Sequence, residues 1–275
     1  MTIEVDGVNY NVYVDEKNLE TDKTPVLFVH GFTGSYEDWE FIFDKLPDNF
    51  YPAAFDQVGH GKTDCPDDQK FYTSKFKMRA ISRICEVLNF REIVLVGYSM
   101  GGRAAYNYAV NNPYNLKGLV IESSQPGIEE AIQRIDRIKA DNELARKIET
   151  EGLSNFIMHW YSQPLFSSIA EMQAEKLGKF YERRLSNNPV GLVNTLKGFS
   201  TGRMVSYWEM LPVISSKVLL VTGELDFKFT LLAEKAKPLF LNAEHKIIQG
   251  AGHNTHLEKP EEFIKLLKDF LVTLN

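Results

Sequence analysis

Between residues 2 and 14, apolar and polar positions alternate: Ile3 and Val5, then Val8, Tyr10, Val12 and Val14, with Asp6-Gly7 in the middle. A period of two around a tight-turn pair predicts a hairpin at the edge of a sheet. Further on, the apolar residues come in short unbroken runs: VLFV (26–29), the weaker YPAAF (51–55), IVLV (93–96), LKGLVI (116–121), KVLLV (217–221) and HKIIQ (245–249). Such runs predict strands buried on both faces, as in a parallel sheet covered by helices. Helical stretches separate most of them, at 76–89, 104–112, 231–240 and 260–274. This alternation predicts an α/β chain with a doubly wound, mostly parallel sheet.

One interval breaks the rhythm. From Gln125 to about Tyr207 no buried-strand run occurs, and Ile128, Ile132, Ile135, Ile138, Leu144 and Ile148 recur at helical spacing. A helical insertion after the sixth strand would sit over the carboxyl edge of the sheet, where open α/β sheets bind ligands. The expected organisation is therefore a first core segment 1–125, a helical cap 126–206 and a second core segment 207–275.

Composition narrows the function classes. A net charge of −6 leaves no basic footprint for nucleic acid. The N-terminus, MTIEVDGVNYNVYVDEKNLE, lacks the basic start and apolar stretch of a signal peptide, and no run approaches the roughly 18 apolar residues of a membrane span. The two cysteines, Cys65 and Cys85, form no CxxC, and no histidines stand at ligand spacing. The expectation is a cytoplasmic protein with two structural thiols, no metal and no cofactor, as a monomer or small homo-oligomer.

The candidate chemistry centres on VGYSMGGR, residues 96–103. Gly97-Tyr98-Ser99-Met100-Gly101 fits G-x-S-x-G between a buried strand and a helix, the setting in which a strained turn lifts the serine hydroxyl above the sheet. A serine hydroxyl needs a histidine held by a carboxylate to become reactive near neutral pH. In the chain order serine, acid, histidine, the acid follows KVLLV and the histidine follows HKIIQ. That points to Asp226, with Glu224 as substitute, and to His253. The backbone N–H groups of Phe32 and Met100 are the expected oxyanion donors. His30 should shape the loop of the first donor, His60 a structural turn, and His159, His245 and His256 surface or core sites.

Arg103 is not needed by a simple esterase. It stands one helical turn beyond Ser99, where a guanidinium fork suits a carboxylate and a solvated helix face suits it equally. Residues 126–210 hold 11 Lys/Arg and 11 Asp/Glu, so composition does not select which of Arg134, Arg137, Arg183, Arg184 and Arg203 point inward.

Together these segments resemble a known family, the α/β-hydrolase-fold enzymes of menaquinone biosynthesis that make 2-succinyl-6-hydroxy-2,4-cyclohexadiene-1-carboxylate. The resemblance runs through HGFTGSYEDW (30–39), GHGKTD (59–64), VGYSMGGR (96–103), ESSQPG (122–127), HWYSQPLF (159–166), SNNPVGL (186–192), GELDFKF (223–229) and GAGHNTHLEKPEEF (250–263). Val58 departs from it, standing where proline is usual before GHG. The resemblance implies an α/β-hydrolase fold with a cap, and an elimination rather than a hydrolysis. Pyruvate leaves a tricarboxylate, and Ser99 is a base instead of a nucleophile. It also implies carboxylate-binding roles for Arg103, Arg137 and Arg184, with Arg134 or Arg183 as alternatives, and substrate contacts for Tyr98 and Trp160. Lys228, beside the acid, either faces the site or is solvated. A serine hydrolase of a small ester, thioester or carbon–carbon bond uses the same triad, and a non-catalytic ligand receptor would need none of it.

Overall fold

In the computed structural model, which describes residues 1–274, eight strands form one sheet. They are β1 (Thr2–Val5), β2 (Val8–Val14), β3 (Thr24–Val29), β4 (Phe50–Phe55), β5 (Ile93–Tyr98), β6 (Leu116–Glu122), β7 (Lys217–Gly223) and β8 (Ala243–Ile248). Their order is β1-β2-β4-β3-β5-β6-β7-β8, antiparallel at β1/β2 and β2/β4 and parallel elsewhere. The helices are α1 (Glu40–Phe43), α2 (Ser74–Val87), α3 (Met100–Asn111), α4 (Ala131–Tyr161), α5 (Ala174–Leu185), α6 (Pro189–Gly198), α7 (Phe227–Ala236), α8 (Thr255–Glu258) and α9 (Pro260–Val272).

The central strands feed two cores in alternation. Ile93 and Leu95 of β5 pack with Ile81 and Ile84 of α2 and Tyr106 of α3. Val94, Val96 and Tyr98 pack on the opposite face with Trp39, Ile42 and, from α9, Phe263 and Leu267. Burial on both faces is why these strands read as unbroken apolar runs. Pro52 lies in a fully buried strand without harm, because within β4 only Ala53, Ala54 and Phe55 pair with β2. β8 differs from the expectation of a buried strand. It pairs only with β7 at the sheet edge, so most of its side chains are partly or fully exposed.

The chain leaves β3 toward β4 on one side and leaves β5 toward β6 on the other. The crevice between the ends of β3 and β5 is therefore a topological switch point, the place where open α/β sheets hold ligands. Helices α4, α5 and α6 follow β6 and share a separate core of Ala145, Ile148, Phe156, Ile157, Phe180 and Leu192, which reaches the sheet domain through Phe32 and Leu257. The long α4 bends at Gly152, whose φ of 81° and ψ of 162° interrupt the helix. Ile132 and Ile135 do lie in this helix but face solvent, at 75% and 53% exposure, so helical spacing there does not mark a buried face. Among the described residues no helix is long and apolar enough to cross a membrane.

Candidate active site

The strand β5 ends in a forced turn. Ser99 has φ 50° and ψ −108°, a region that costs an L-residue strain and is held by its surroundings. The flanking glycines permit it: a Cβ on Gly97 would stand 2.7 Å from the Gly101 carbonyl oxygen, and one on Gly101 would stand 2.1 Å from that of Val29. The turn is tied from outside as well. Ser99 N–H donates to the Glu122 carbonyl at 2.9 Å, and the Ser124 hydroxyl donates to the Ser99 carbonyl at 2.7 Å.

Two further loops bring in the partners. Asp226 stands between β7 and α7, and His253 lies in the loop after β8. His253 Nε2 is 2.9 Å from Ser99 Oγ, and His253 Nδ1 is 2.8 Å from Asp226 Oδ2. Both partners are buried, and Phe166, Phe229 and Tyr98 surround the imidazole. Glu224, the substitute acid, is exposed and accepts from Gly250 N–H instead.

The oxyanion side is built from β3 and α3. Met100 opens α3, so its N–H has no acceptor within the helix and sits at the positive end of the helix dipole. Phe32 is carried by the loop after β3, turned by Thr33 at φ 66°. His30 braces that loop: its Nε2 accepts from Gln57 N–H at 2.9 Å, which leaves Nδ1 to donate to the Gly31 carbonyl at 2.7 Å. Burial lowers the His30 pKa and keeps the ring neutral. His60 is buried against Phe32, and His256 is buried on Glu122. His159 is at the surface beside Lys147, and His245 contacts Thr222.

Ser99 and His253 open into a cavity lined by residues of α3, α4 and α6. Three cations line it. Arg103 donates from Nη1 to the Phe199 carbonyl at 2.6 Å and lies over the Phe199 ring. Burial first, then Arg137, bring its pKa down to about 9, so it stays charged at neutral pH. Arg137 engages both carboxylate oxygens of the buried Asp141 through Nε at 2.9 Å, which leaves its Nη ends for a guest. Lys228 also lines the cavity, with a pKa lowered by partial burial and by Arg137. Trp160 completes the apolar wall, edge-on to Phe32.

Two expected contacts fall elsewhere. Arg184 does not line this cavity; its guanidinium is 2% exposed and spans both oxygens of Asp38, at 2.7 and 2.9 Å, with Phe180 against its face. Arg183 is bound to the Glu37 carbonyl, and Arg134 to that of Gly202. Tyr98 lies beneath the site, its ring 2.6 Å from where a Gly31 Cβ would be, and supports His253 from behind. Sequence reasoning missed Asp141, whose i,i+4 spacing from Arg137 on one helix was the available signal. It also missed Phe199 and Thr195, for which no motif stands out.

The fold and sequence are shared with known proteins. Residues 24–260 match the family described as alpha/beta hydrolase fold. A Serratia proteamaculans (strain 568) protein named 2-succinyl-6-hydroxy-2,4-cyclohexadiene-1-carboxylate synthase is 30% identical over 258 residues, 92% of this chain and 95% of that one. A Bacillus subtilis (strain 168) protein that carries the same name provisionally is 36% identical over 269 residues, 98% of this chain and 97% of its own. The solved structure of MenH from S. aureus superposes with a TM-score of 0.90 at 31% identity, covering 96% of this chain and 98% of that one. An esterase from Thermogutta terrifontis, at 22% identity and a TM-score of 0.83, shares the fold alone. With its strained serine, its relay and these relatives, the chain belongs to the 2-succinyl-6-hydroxy-2,4-cyclohexadiene-1-carboxylate synthase family of α/β-hydrolase-fold enzymes.

Proposed function

We propose that this enzyme eliminates pyruvate from 2-succinyl-5-enolpyruvyl-6-hydroxy-3-cyclohexene-1-carboxylate in menaquinone biosynthesis, with Ser99 as the base. The observation that carries the reading is the hydroxyl–imidazole contact of 2.9 Å opening into a cavity lined by Arg103, Arg137 and Lys228. A neutral ester needs none of these cations, whereas this substrate carries three carboxylates. Guanidinium forks bind such groups through paired hydrogen bonds. Residues 126–206 act as the cap that brings Arg137 and Trp160 over the guest.

Ser99 Oγ takes the proton α to the succinyl carbonyl while its own proton passes to His253 Nε2. Asp226 holds the imidazole in orientation and stabilises the charge it gains. The electron pair enters the carbonyl, whose oxygen is received by the Phe32 and Met100 N–H groups; each such donor contributes about 3 kcal/mol in comparable sites. The pair then returns through the ring, the bond to the enolpyruvyl oxygen breaks, and the conjugated diene forms. The departing enolate takes up one proton to become pyruvate, so the two products hold every atom of the substrate.

The test supplies the enolpyruvyl substrate from the preceding enzyme and follows pyruvate release together with the absorbance of the diene. Ser99→Ala should slow release by a factor on the order of 10³, within the range of general-base contributions. Wild-type enzyme that turns over p-nitrophenyl esters but releases no pyruvate would overturn the proposal in favour of a hydrolase.

A further inference from the structure

Lys77 is a buried ammonium that the mechanism above does not use. It projects from α2 into the core beneath the crevice, is 3% exposed, and has no carboxylate at ion-pair distance among the described residues. Burying a cation without a counter-ion is costly, and an apolar side chain of similar length would stabilise such a place more. What it touches is not random core. Its Nζ donates to Gln57 Oε1 at 3.1 Å, while Gln57 Nε2 donates to the His30 carbonyl at 2.6 Å and Gln57 N–H to His30 Nε2 at 2.9 Å. On its other side, Nζ stands 5.0 Å from the centre of the Phe199 ring, the same ring over which Arg103 lies at 4.6 Å.

We propose that Lys77 is a positioning residue that couples the two halves of the active site, holding the oxyanion loop through Gln57 and His30 and the orientation of Arg103 through Phe199. Gln57 can accept from the ammonium only with its carbonyl turned toward α2, which leaves its amide N–H to hold the His30 carbonyl. The amide is thus locked in one orientation, and the 30–33 loop with it. Phe199 has cations near it from two helices and gives its own carbonyl to Arg103. Loss of the ammonium would free both.

The charge on Lys77 is also labile. Burial, then Arg103, bring it from 10.5 down to about 7. The groups around it are Arg103 from α3, His30 at the end of β3, His60 in the loop after β4 and Tyr10 from β2. Burial lowers both histidines and raises Tyr10, so all three are neutral where Lys77 titrates. A carboxylate docked on Arg103 offsets the repulsion and favours the protonated form. Anion binding near pH 7.5 therefore draws a proton onto Lys77.

The inference rests on the proposed reading only in giving Arg103 a carboxylate to hold, and its test avoids the lyase substrate. Two readouts are used: the rate at which a p-nitrophenyl phosphonate labels Ser99, and the protection given by propane-1,2,3-tricarboxylate. Lys77→Met should keep or raise Tm, slow labelling at pH 6.5 about tenfold, and weaken protection about tenfold. The ratio of wild-type to variant labelling should fall as pH rises from 6 to 9, a trend that a merely structural lysine would not produce. Lys77→Gln, which keeps a donor for Gln57, should recover part of the labelling but none of the pH trend. Calorimetry in two buffers of different ionisation enthalpy should detect more proton uptake on tricarboxylate binding by the wild type than by Lys77→Met, the comparison removing any uptake by Lys228, and equal uptake by the two would overturn the inference. Labelling within twofold of wild type and a ratio flat with pH would overturn the inference, as would binding without proton uptake. Failure of pyruvate release with these differences intact would sink the lyase reading and leave Lys77 standing.

Discussion

Arg103 and Arg184 are alike in chemistry and opposite in circumstance. Arg103 has one Nη bonded to a carbonyl and the rest of its fork turned to a cavity, whereas Arg184 is saturated by Asp38 and Tyr161. Burial alone would raise the Asp38 pKa, but Arg184 overrides it and holds the carboxyl below its ordinary 3.8. A depressed carboxylate contributes stability that is present above the unfolded value and lost as pH falls through the folded one. Below pH 3.8 the contribution of this clasp between α5 and the segment after β3 therefore begins to fall, and it is lost at the lower, folded value. Arg184→Ala at pH 7 leaves the buried Asp38 with only Arg183, 3.8 Å away, as a cationic partner, and should cost about 3 kcal/mol in urea denaturation. Arg103→Ala should leave stability nearly unchanged while raising KM and lowering kcat, because a carboxylate out of place also misplaces the proton. Unchanged stability with a raised KM in Arg184→Ala would return that arginine to the substrate.

At the scale of elements, α4 is two helices joined at one residue. A φ of 81° with a ψ of 162° belongs to glycine almost alone, yet no atom lies within 4 Å of where a Gly152 Cβ would be. Strain without a clash gives a clean substitution. Gly152→Ala should destabilise by about 1–3 kcal/mol. It should also lower pyruvate release, because the bend sets where Trp160, at the end of α4, stands relative to Arg137 near its start. Loss of stability with unaltered kinetics would separate the bend from function. The bend was not legible in the sequence, since a glycine inside a helical pattern is compatible with an unbroken helix. The strands were legible because burial on two faces writes unbroken apolar runs, and the elbow because only glycine fits beside Ser99. The direction of the cap arginines was not, because it depends on Asp38, Asp141 and Phe199, which are distant in sequence or carry no motif. Edge strand β8 misled for a related reason: an apolar run records β-propensity as well as burial.

Over the whole molecule, an acidic chain of net charge −6 keeps three cations around an interior cavity and a fourth, Lys77, in the core below it. Their mutual repulsion is relieved when an anionic guest arrives, so the empty enzyme is less stable than the occupied one by an amount set by ligand concentration. Part of the burden is readable without any ligand. Lys77 has a folded value of about 7 against 10.5 in the unfolded chain, so between those limits the unfolded state binds more protons. Stability must then rise with pH across that window, the penalty being fully present below the folded value and gone above the unfolded one. Every other titrating group is common to wild type and Lys77→Met and cancels in the difference. The measurement is urea denaturation of both proteins at half-unit steps from pH 6 to 9.5. The variant should hold its greatest advantage at pH 6, and the wild type should close the gap steadily above pH 7. A gap that stays constant with pH would mean that Lys77 keeps an ordinary lysine pKa and carries no buried charge penalty. The proposed grip of Arg103 on a carboxylate would then have no help from below.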